Sequence, residues 1–403
     1  MKAKVLIFLI LTIILSGCGS QRELTDIAFV TALGIDKDED GKIIGTFQIV
    51  NPSNVAGGLQ GGSAGEGAAV TVYTAKGDSI VAVSRHASTK VSRLLYYAHT
   101  NLVVVSDKFA KEEGLNEVLD ALDRDVQFRT TTKLVIAHGA KAKDVLSITT
   151  PIDKIPSTKV IETLKFSERR WGGNKSVSVH QMIDILTAPG REPIIPSFKI
   201  NGNVEEGMQL ENLHSTIPKA GLQADGMAIF KEGKMIDVVN ENDAIGIIWL
   251  LDKIQETNVP IYWDGDKGII SYQVLRDTVK ISVDVEDGKP NFSVHIRVKG
   301  DLGEVNAPIN IKDRQVQEKI EKKVEKQIKE KIQLAIRLAQ ENKSDILGFG
   351  EKIYRSHPKT WKTLRNDWND KQFPELKVKV TVDASIIRPG LRNSPFIYQL
   401  DND

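Results

Sequence analysis

The chain has 403 residues, 41 % of them hydrophobic, which suits two or three separately cored domains rather than one. Lys and Arg total 54 against 53 Asp and Glu, a formal charge of +1, so no global field draws the chain to nucleic acid. Cys18 is the only cysteine, which excludes an internal disulfide and a cysteine-ligated metal site.

Lys2 and Lys4 precede an apolar run from Val5 to Leu15. Eleven helical residues reach about 16 Å, half of a ~30 Å bilayer core, so the run reads as a cleavable leader and not a membrane span. Leu15-Ser16-Gly17-Cys18 closes it. Small residues directly before a cysteine turn an export signal into a lipoprotein signal. The Cys18 thiol then takes a diacylglyceryl group, residues 1–17 are removed, and Cys18 becomes the lipid-bearing first residue. One acyl chain binds a membrane only marginally, whereas two or more hold firmly. No later apolar run approaches ~20 residues, so the anchor is read as lipid, palmitate-like, and the body as soluble. No cofactor is expected beyond that covalent lipid.

Ser20–Thr25 reads as a short tether. Ile27–Ile35 and Ile43–Val50 read as antiparallel strands joined by a charged turn, with Asp40-Gly41 supplying positive φ. Asp36, Asp38, Asp40 and Gly41 match half a calcium loop. Its twelfth position is Phe47 where a bidentate Glu is needed, so a solvated turn is the better reading. Gly57–Gly67 is a glycine-rich loop. Gly61-Gly62-Ser63-Ala64-Gly65 inside it lacks the strand–turn–helix setting of a nucleophile elbow.

Strands at Val70–Ala75, Leu102–Val105 and Lys133–Ala137 alternate with two helical patterns. Asp78 is placed as the cap of the first, which carries Ile80, Val83, Ala87 and Val91. Leu115, Val118, Leu119 and Leu122 mark the second. That alternation predicts crossovers and a partly parallel, mixed sheet. Val160–Ser167 and His180–Leu186 read as helices, and Ile194–Ile200 as a strand among prolines.

Asn201–Gly221 has weak periodicity and is taken as the boundary. Beyond it, Gly226–Phe230 and Met235–Val239 form a hairpin, and Glu241–Lys253 a helix with Ile245, Ile248, Trp249 and Asp252 on one side. Ile269–Leu275, Val279–Val285 and Phe292–Val298 are strands. From Val316 to Ile336 an aliphatic residue recurs every fourth position of a long helix. Each such step drifts ~40° around the axis, so the helix must meet different partners along its length. Its Lys/Glu-rich side reads as solvated. Ser344 is placed as the cap of the next helix, and Pro358 opens another with Trp361, Leu364 and Trp368 on a core face. Leu376–Ile387 closes the chain.

The predicted class is α+β: several mixed β-sheets with helices packed on them, multi-domain, with a long C-terminal helix. The expected organisation is a leader at 1–17 and an N-terminal mixed α/β domain at 18–200 with room for two subdomains and the loop 57–67. A linker at 201–222, a C-terminal α+β domain at 223–388 with its helix at 313–340, and a tail at 389–403 follow.

No two of the seven histidines stand at the spacing of a helical metal pair. No HExxH, phosphate-loop or kinase pattern occurs. Glu241 and Asp243 suit the start of a helix better than acid/base work. The expectation is a protein without catalytic residues, without a metal site, and with no assigned ligand-binding residue.

Several segments nevertheless form an ordered set. They are Arg22-Glu23-Leu24, Gly34-Ile35-Asp36-Lys37 and Gln48-Ile49-Val50-Asn51-Pro52, then Thr150-Pro151 with Lys154-Ile155-Pro156, and Pro189-Gly190-Arg191. Last come Lys343-Ser344-Asp345-Ile346 through Gly348-Phe349-Gly350, with Pro358, Trp361, Trp368 and Phe373-Pro374 in order. Together they resemble the C subunit of bacterial spore germinant receptors, a lipoprotein family, over nearly everything after the leader. Leu347 departs from the pattern, standing where an aromatic is expected. The resemblance implies small mixed-sheet domains with packed helices and a non-enzymatic subunit on the outer surface of the spore inner membrane. It implies partnership there with integral membrane A-type and B-type subunits that recognise nutrients such as amino acids or sugars. Only Cys18, as the lipid site, carries over as a functional residue. The alternatives are a lipoprotein solute-binding receptor, which favours two larger lobes and a cleft, and a lipoprotein enzyme acting on the cell wall.

Overall fold

The computed structural model describes residues 23–55, 67–263 and 268–388. Strands β1 (Ile27–Lys37) and β2 (Ile43–Val50) form the expected antiparallel hairpin. Gly41 turns it at φ 82°, a left-handed conformation that suits glycine. β3 (Val70–Gly77) adds antiparallel to β2. Helix α1 (Ile80–Ala87) follows. Ser79, not Asp78, caps it, because its hydroxyl accepts the Ala82 amide.

β4 (Leu94–Tyr96) and β5 (Leu102–Ser106) run parallel to β1. α2 (Asp107–Glu112) and α3 (Asn116–Arg124) then lead to β6 (Lys133–Ala137), parallel to β5. Next come α4 (Ala142–Ser147), α5 (Pro156–Arg170), β7 (Val177–Ser178) and α6 (Val179–Thr187). β8 (Ile194–Gly202) returns parallel to β6. β5 explains why this centre reads as an unbroken apolar run. Leu102 and Val104 face one core, Val103 and Val105 the other, so both faces are covered. α1, α2, α3 and α6 cover one face, and α4 and α5 the opposite one.

The segment 201–222, expected to be a linker, holds the end of β8, two short helical pieces and the start of β9 (Ala220–Lys231). Asn212 organises it. Its side-chain oxygen accepts the Lys219 amide at 2.6 Å, and its nitrogen donates to the Thr149 carbonyl at 2.8 Å. β9 pairs antiparallel with β8, and β10 (Lys234–Val239) with β9. The hairpin assigned from sequence to the C-terminal half is therefore the far edge of the first sheet. Alternation reveals a strand's faces but not its neighbours.

The second sheet runs β11 (Thr257–Tyr262), β12 (Ile269–Glu286), β13 (Lys289–Asn306), β14 (Val378–Arg388), with β14 parallel to β13 and the other pairs antiparallel. β12 absorbs two expected strands into one, with a register shift between Val274 and Arg276 just before the polar Asp277-Thr278 that separates them in sequence. β11 escapes sequence pattern because Pro260 lies in it, which an edge strand tolerates. α7 (Glu241–Leu250) is buried at every residue from Ala244 to Leu250, not on one side only. It lies between the sheets. Ile194, Met227 and Ile229 of the first sheet share its core with Ile270, Ile296 and Val298 of the second.

α8 (Arg314–Glu341) buries Ile320, Val324, Ile328, Ile332 and Ile336 and meets β14, β11 and α7 along its length. A Cβ at Gly246 would stand 2.3 Å from the Lys331 carbonyl oxygen, so glycine permits the α7–α8 crossing. Its polar side is not wholly solvated. Glu325 and Glu321 accept the Ala384 and Ile386 amides of β14 at 3.3 and 2.9 Å, covering that edge. α9 (Phe349–Ser356) and α10 (Pro358–Leu364) complete the half. The molecule is thus α+β, with two mixed sheets and helices packed on them.

Candidate functional site

Cys18 and the leader lie outside the described residues, as do residues 389–403 and all of the glycine loop except Gly67. Among the described residues no helix is long and apolar enough to cross a membrane.

Several of the quoted segments meet at two packing sites. In the first, Asp36 reaches from the end of β1 to accept the Ala142 and Lys143 amides at 2.8 and 3.0 Å. It thereby caps α4, and burial raises its carboxyl above the ordinary value. Gln48 is buried in β2. Its nitrogen donates to the Leu146 carbonyl at 2.8 Å and its oxygen accepts the Thr31 hydroxyl at 3.0 Å. These residues hold α4 on the sheet.

The second site joins the halves. Pro189-Gly190-Arg191 lies against the loop from Lys343 to Gly350. Glu192 N donates to Asp345 O and Glu351 N to Gly190 O, each at 2.9 Å. Gly190 has φ 72°, and a Cβ there would meet Trp361 at 2.5 Å and the Gly350 carbonyl carbon at 2.7 Å. Asp345 is fully buried. Its Oδ1 accepts the Gly348 and Phe349 amides at 2.8 and 3.1 Å. Its Oδ2 accepts the Gly350 amide at 2.7 Å and Trp368 Nε1–H at 2.8 Å. Burial pushes its carboxyl up to about 6 while these four donors pull the other way. Glu192, also raised by burial, accepts the Glu232 amide at 2.9 Å and Asn369 Nδ2 at 2.8 Å. Asn369 in turn accepts the Asp345 amide at 3.1 Å.

Ser344, expected to cap a helix, is buried and donates to the Phe230 carbonyl at 2.6 Å. Gly348 precedes α9 instead. Trp361 and Trp368 meet edge to face at 5.6 Å, and Phe349 stacks on Phe292 at 4.6 Å, all within the core. Leu347 is buried there too. Glu192 and Asn369 have no local sequence signal. Their partners lie tens to hundreds of positions away.

A cleft of about 1100 Å³ opens where β1, β5 and β6 end, the usual ligand position of open α/β sheets. Some of its polar groups are engaged with one another. Asp38 holds Lys76 at 2.9 Å, His86 Nδ1 is 2.6 Å from the Lys76 carbonyl, and Asp107 accepts the Gly139 amide at 3.3 Å. Elsewhere His138 and Lys199 share Asp225, at 2.6 and 2.7 Å. Among the described residues no group of three or more His, Cys, Asp or Glu could hold a metal ion.

Two family models match in series. The spore germination protein N-terminal domain covers residues 20–200, and the "Spore germination B3/GerAC like, C-terminal" model covers 225–390. The chain is 41 % identical over 398 residues to spore germination protein KC of Bacillus subtilis (strain 168), spanning 98 % of each chain. The chain belongs to the spore germination GerAC-like family. More distant members include GerQC of Bacillus cereus, 24 % identical over 96 % of this chain and 98 % of that one. Spore germination protein A3 of B. subtilis is 25 % identical over 96 % of this chain and 97 % of its own. The crystal structure of the GerBC protein shares the fold at a TM-score of 0.56, with 20 % identity, 88 % of this chain and 96 % of that chain covered. In this GerAC-like chain the motif residues Asp36, Gln48, Gly190 and Asp345 are thus engaged in packing contacts.

Proposed function

We propose that this chain is the lipid-anchored, non-enzymatic C-type subunit of a nutrient germinant receptor acting in spore germination. The observation that carries this is 41 % identity to protein KC across 98 % of both chains. In this reading Cys18 bears the lipid and seats the body on the outer surface of the spore inner membrane. Integral membrane subunits of A and B type are its partners. Three features support it. Leu15-Ser16-Gly17-Cys18 follows a leader-sized apolar run. No described helix is long and apolar enough to cross a membrane. Asp36, Gln48 and Asp345 of the motifs are engaged in holding the fold together, as suits a scaffolding subunit.

Replacing Cys18 by Ala tests the reading. The variant is expected to leave the membrane fraction of spores and to impair the nutrient response, with the folded body equally stable in solution. Wild-type protein that stays on membranes without any fatty-acid label would overturn the lipid anchor. Purification from detergent-solubilised spore membranes is expected to recover both integral subunits. Recovery of the chain alone would overturn the assembly.

A further inference from the structure

Which surface of the body meets the bilayer follows from chain length once Cys18 bears the lipid, the reading on which this inference rests. Five residue steps separate Cys18 from Glu23, where the described fold begins. Fully extended, they span at most ~18 Å. A compact chain of 403 residues is about 55 Å across, so only the surface around Glu23 lies within reach. β1 starts just beyond, at Ile27. At ~3.3 Å per residue its 11 residues carry the chain about 35 Å to the cleft at the other end, past the span of the tether.

Three aliphatic side chains stand out at the tethered end. Leu24 is 73 % exposed in the turn before β1. Leu94 of β4 pairs with Ile27 and is 47 % exposed. Val126 is 99 % exposed in the loop after α3. Its neighbours Asp125 and Gln127 line, together with Leu94, the cavity between the first sheet and helices α1 and α3. Single exposed aliphatics are ordinary, but these gather where the tether leaves the fold. Glu23, Asp26 and Asp125 are interspersed there with Arg93, Arg124 and Arg129, all exposed. Charges so balanced exert little net pull, so the attraction on offer is apolar. Aliphatic side chains set among charged ones suit the headgroup layer, where one part of the contact is greasy and the other wet.

We propose that this end of the first sheet is the membrane-contact surface, with Leu24, Leu94 and Val126 seated at the boundary between headgroups and acyl chains. β1 then runs away from the bilayer, and the cleft at its far end faces outward. The two contacts divide the work. The lipid holds the chain on the membrane, and the three side chains set its orientation there.

Site-directed labelling tests this on the full mature lipoprotein bound to phosphatidylcholine vesicles. The lipid occupies the thiol of the only native cysteine, so Val126→Cys and Lys141→Cys each offer a single site for an environment-sensitive fluorophore. Lys141 is exposed at the cleft. The Val126 label is expected to shift its emission to the blue and to lose intensity to nitroxide-bearing lipids, while the Lys141 label does neither. Labels that both stay in water on an acylated, vesicle-bound chain overturn this inference and leave the anchor standing. A Lys141 label as deep as the Val126 label does the same. A blue shift at Val126 that appears only in spore membranes holding the integral subunits, without quenching by lipid, gives the surface to a protein partner and overturns it too. A chain that carries no lipid and stays off the vesicles overturns this inference and the anchor together.

Discussion

Replacing Asp345 by Asn changes one atom in the joint between the halves and removes half of its accepting capacity. In the wild type, Oδ1 accepts two backbone amides and Oδ2 accepts the Gly350 amide and the Trp368 indole N–H. An asparagine oxygen in place of Oδ1 keeps the first pair. Its amide nitrogen then faces two donors with nothing to accept, and turning the amide over only exchanges which pair is lost. Each buried unsatisfied donor costs about 1–3 kcal/mol, so the substitution is expected to cost about 2–6 kcal/mol. Trp368→Phe keeps most of the ring volume and removes one of the four donors. It is expected to cost about 1–2 kcal/mol alone and much less in the Asp345→Asn background, where that donor is already unmatched. Urea unfolding followed by far-UV circular dichroism measures all four members of the cycle. An Asp345→Asn variant within about 0.5 kcal/mol of wild type, or strict additivity with Trp368→Phe, would refute the reasoning.

Gly190→Ala adds a methyl group 2.5 Å from Trp361 at a residue with φ 72°. Gly139→Ala imposes a similar φ, 65°, with nothing within 4 Å. The first is expected to cost well over 3 kcal/mol and the second about 1 kcal/mol, and thermal melts of the pair separate steric from conformational strain. Asp277 supplies a pH signature. Burial, with Asp252 nearby, pushes its carboxyl from 3.8 to about 6, and its Oδ2 has no hydrogen-bond partner. The folded state therefore binds this proton more tightly than the unfolded state. The stability it contributes is complete below about pH 4 and is lost as pH rises through about 6. The shift corresponds to at most about 3 kcal/mol, less for a partly exposed group. Asp277→Asn is expected to flatten the unfolding free energy between about pH 4 and 6 and to raise it at about pH 7.5. An unchanged pH slope in urea titrations would count against it.

Local pattern exposed most of the elements because their burial is simple. Lys133–Ala137 is recognisable as a strand from its apolar run alone, and the fourfold aliphatic recurrence marks α8. What it could not expose depends on distant partners. Ser344 looks like a helix cap because it precedes an apolar stretch, yet its hydroxyl is claimed by Phe230, 114 positions away. Asp345 stands in a segment whose family resemblance is legible. Its role depends on Trp368 and on a loop that curls back over its own carboxylate, and no spacing rule encodes that. The cavity between the first sheet and helices α1 and α3 is assembled from elements spread between Leu33 and Phe128, none of which signals a void.

The two sequence modules of the family stop at 200 and resume at 225, but the fold does not divide there. β9 and β10 complete the first sheet, and Met227 and Ile229 sit in the core shared with α7. A fragment ending at residue 200 would leave β8 an unprotected border, inviting self-association, and would uncover Ile194. Units of inheritance and units of folding are therefore offset by a hairpin. The polypeptide is best produced, and best understood, undivided.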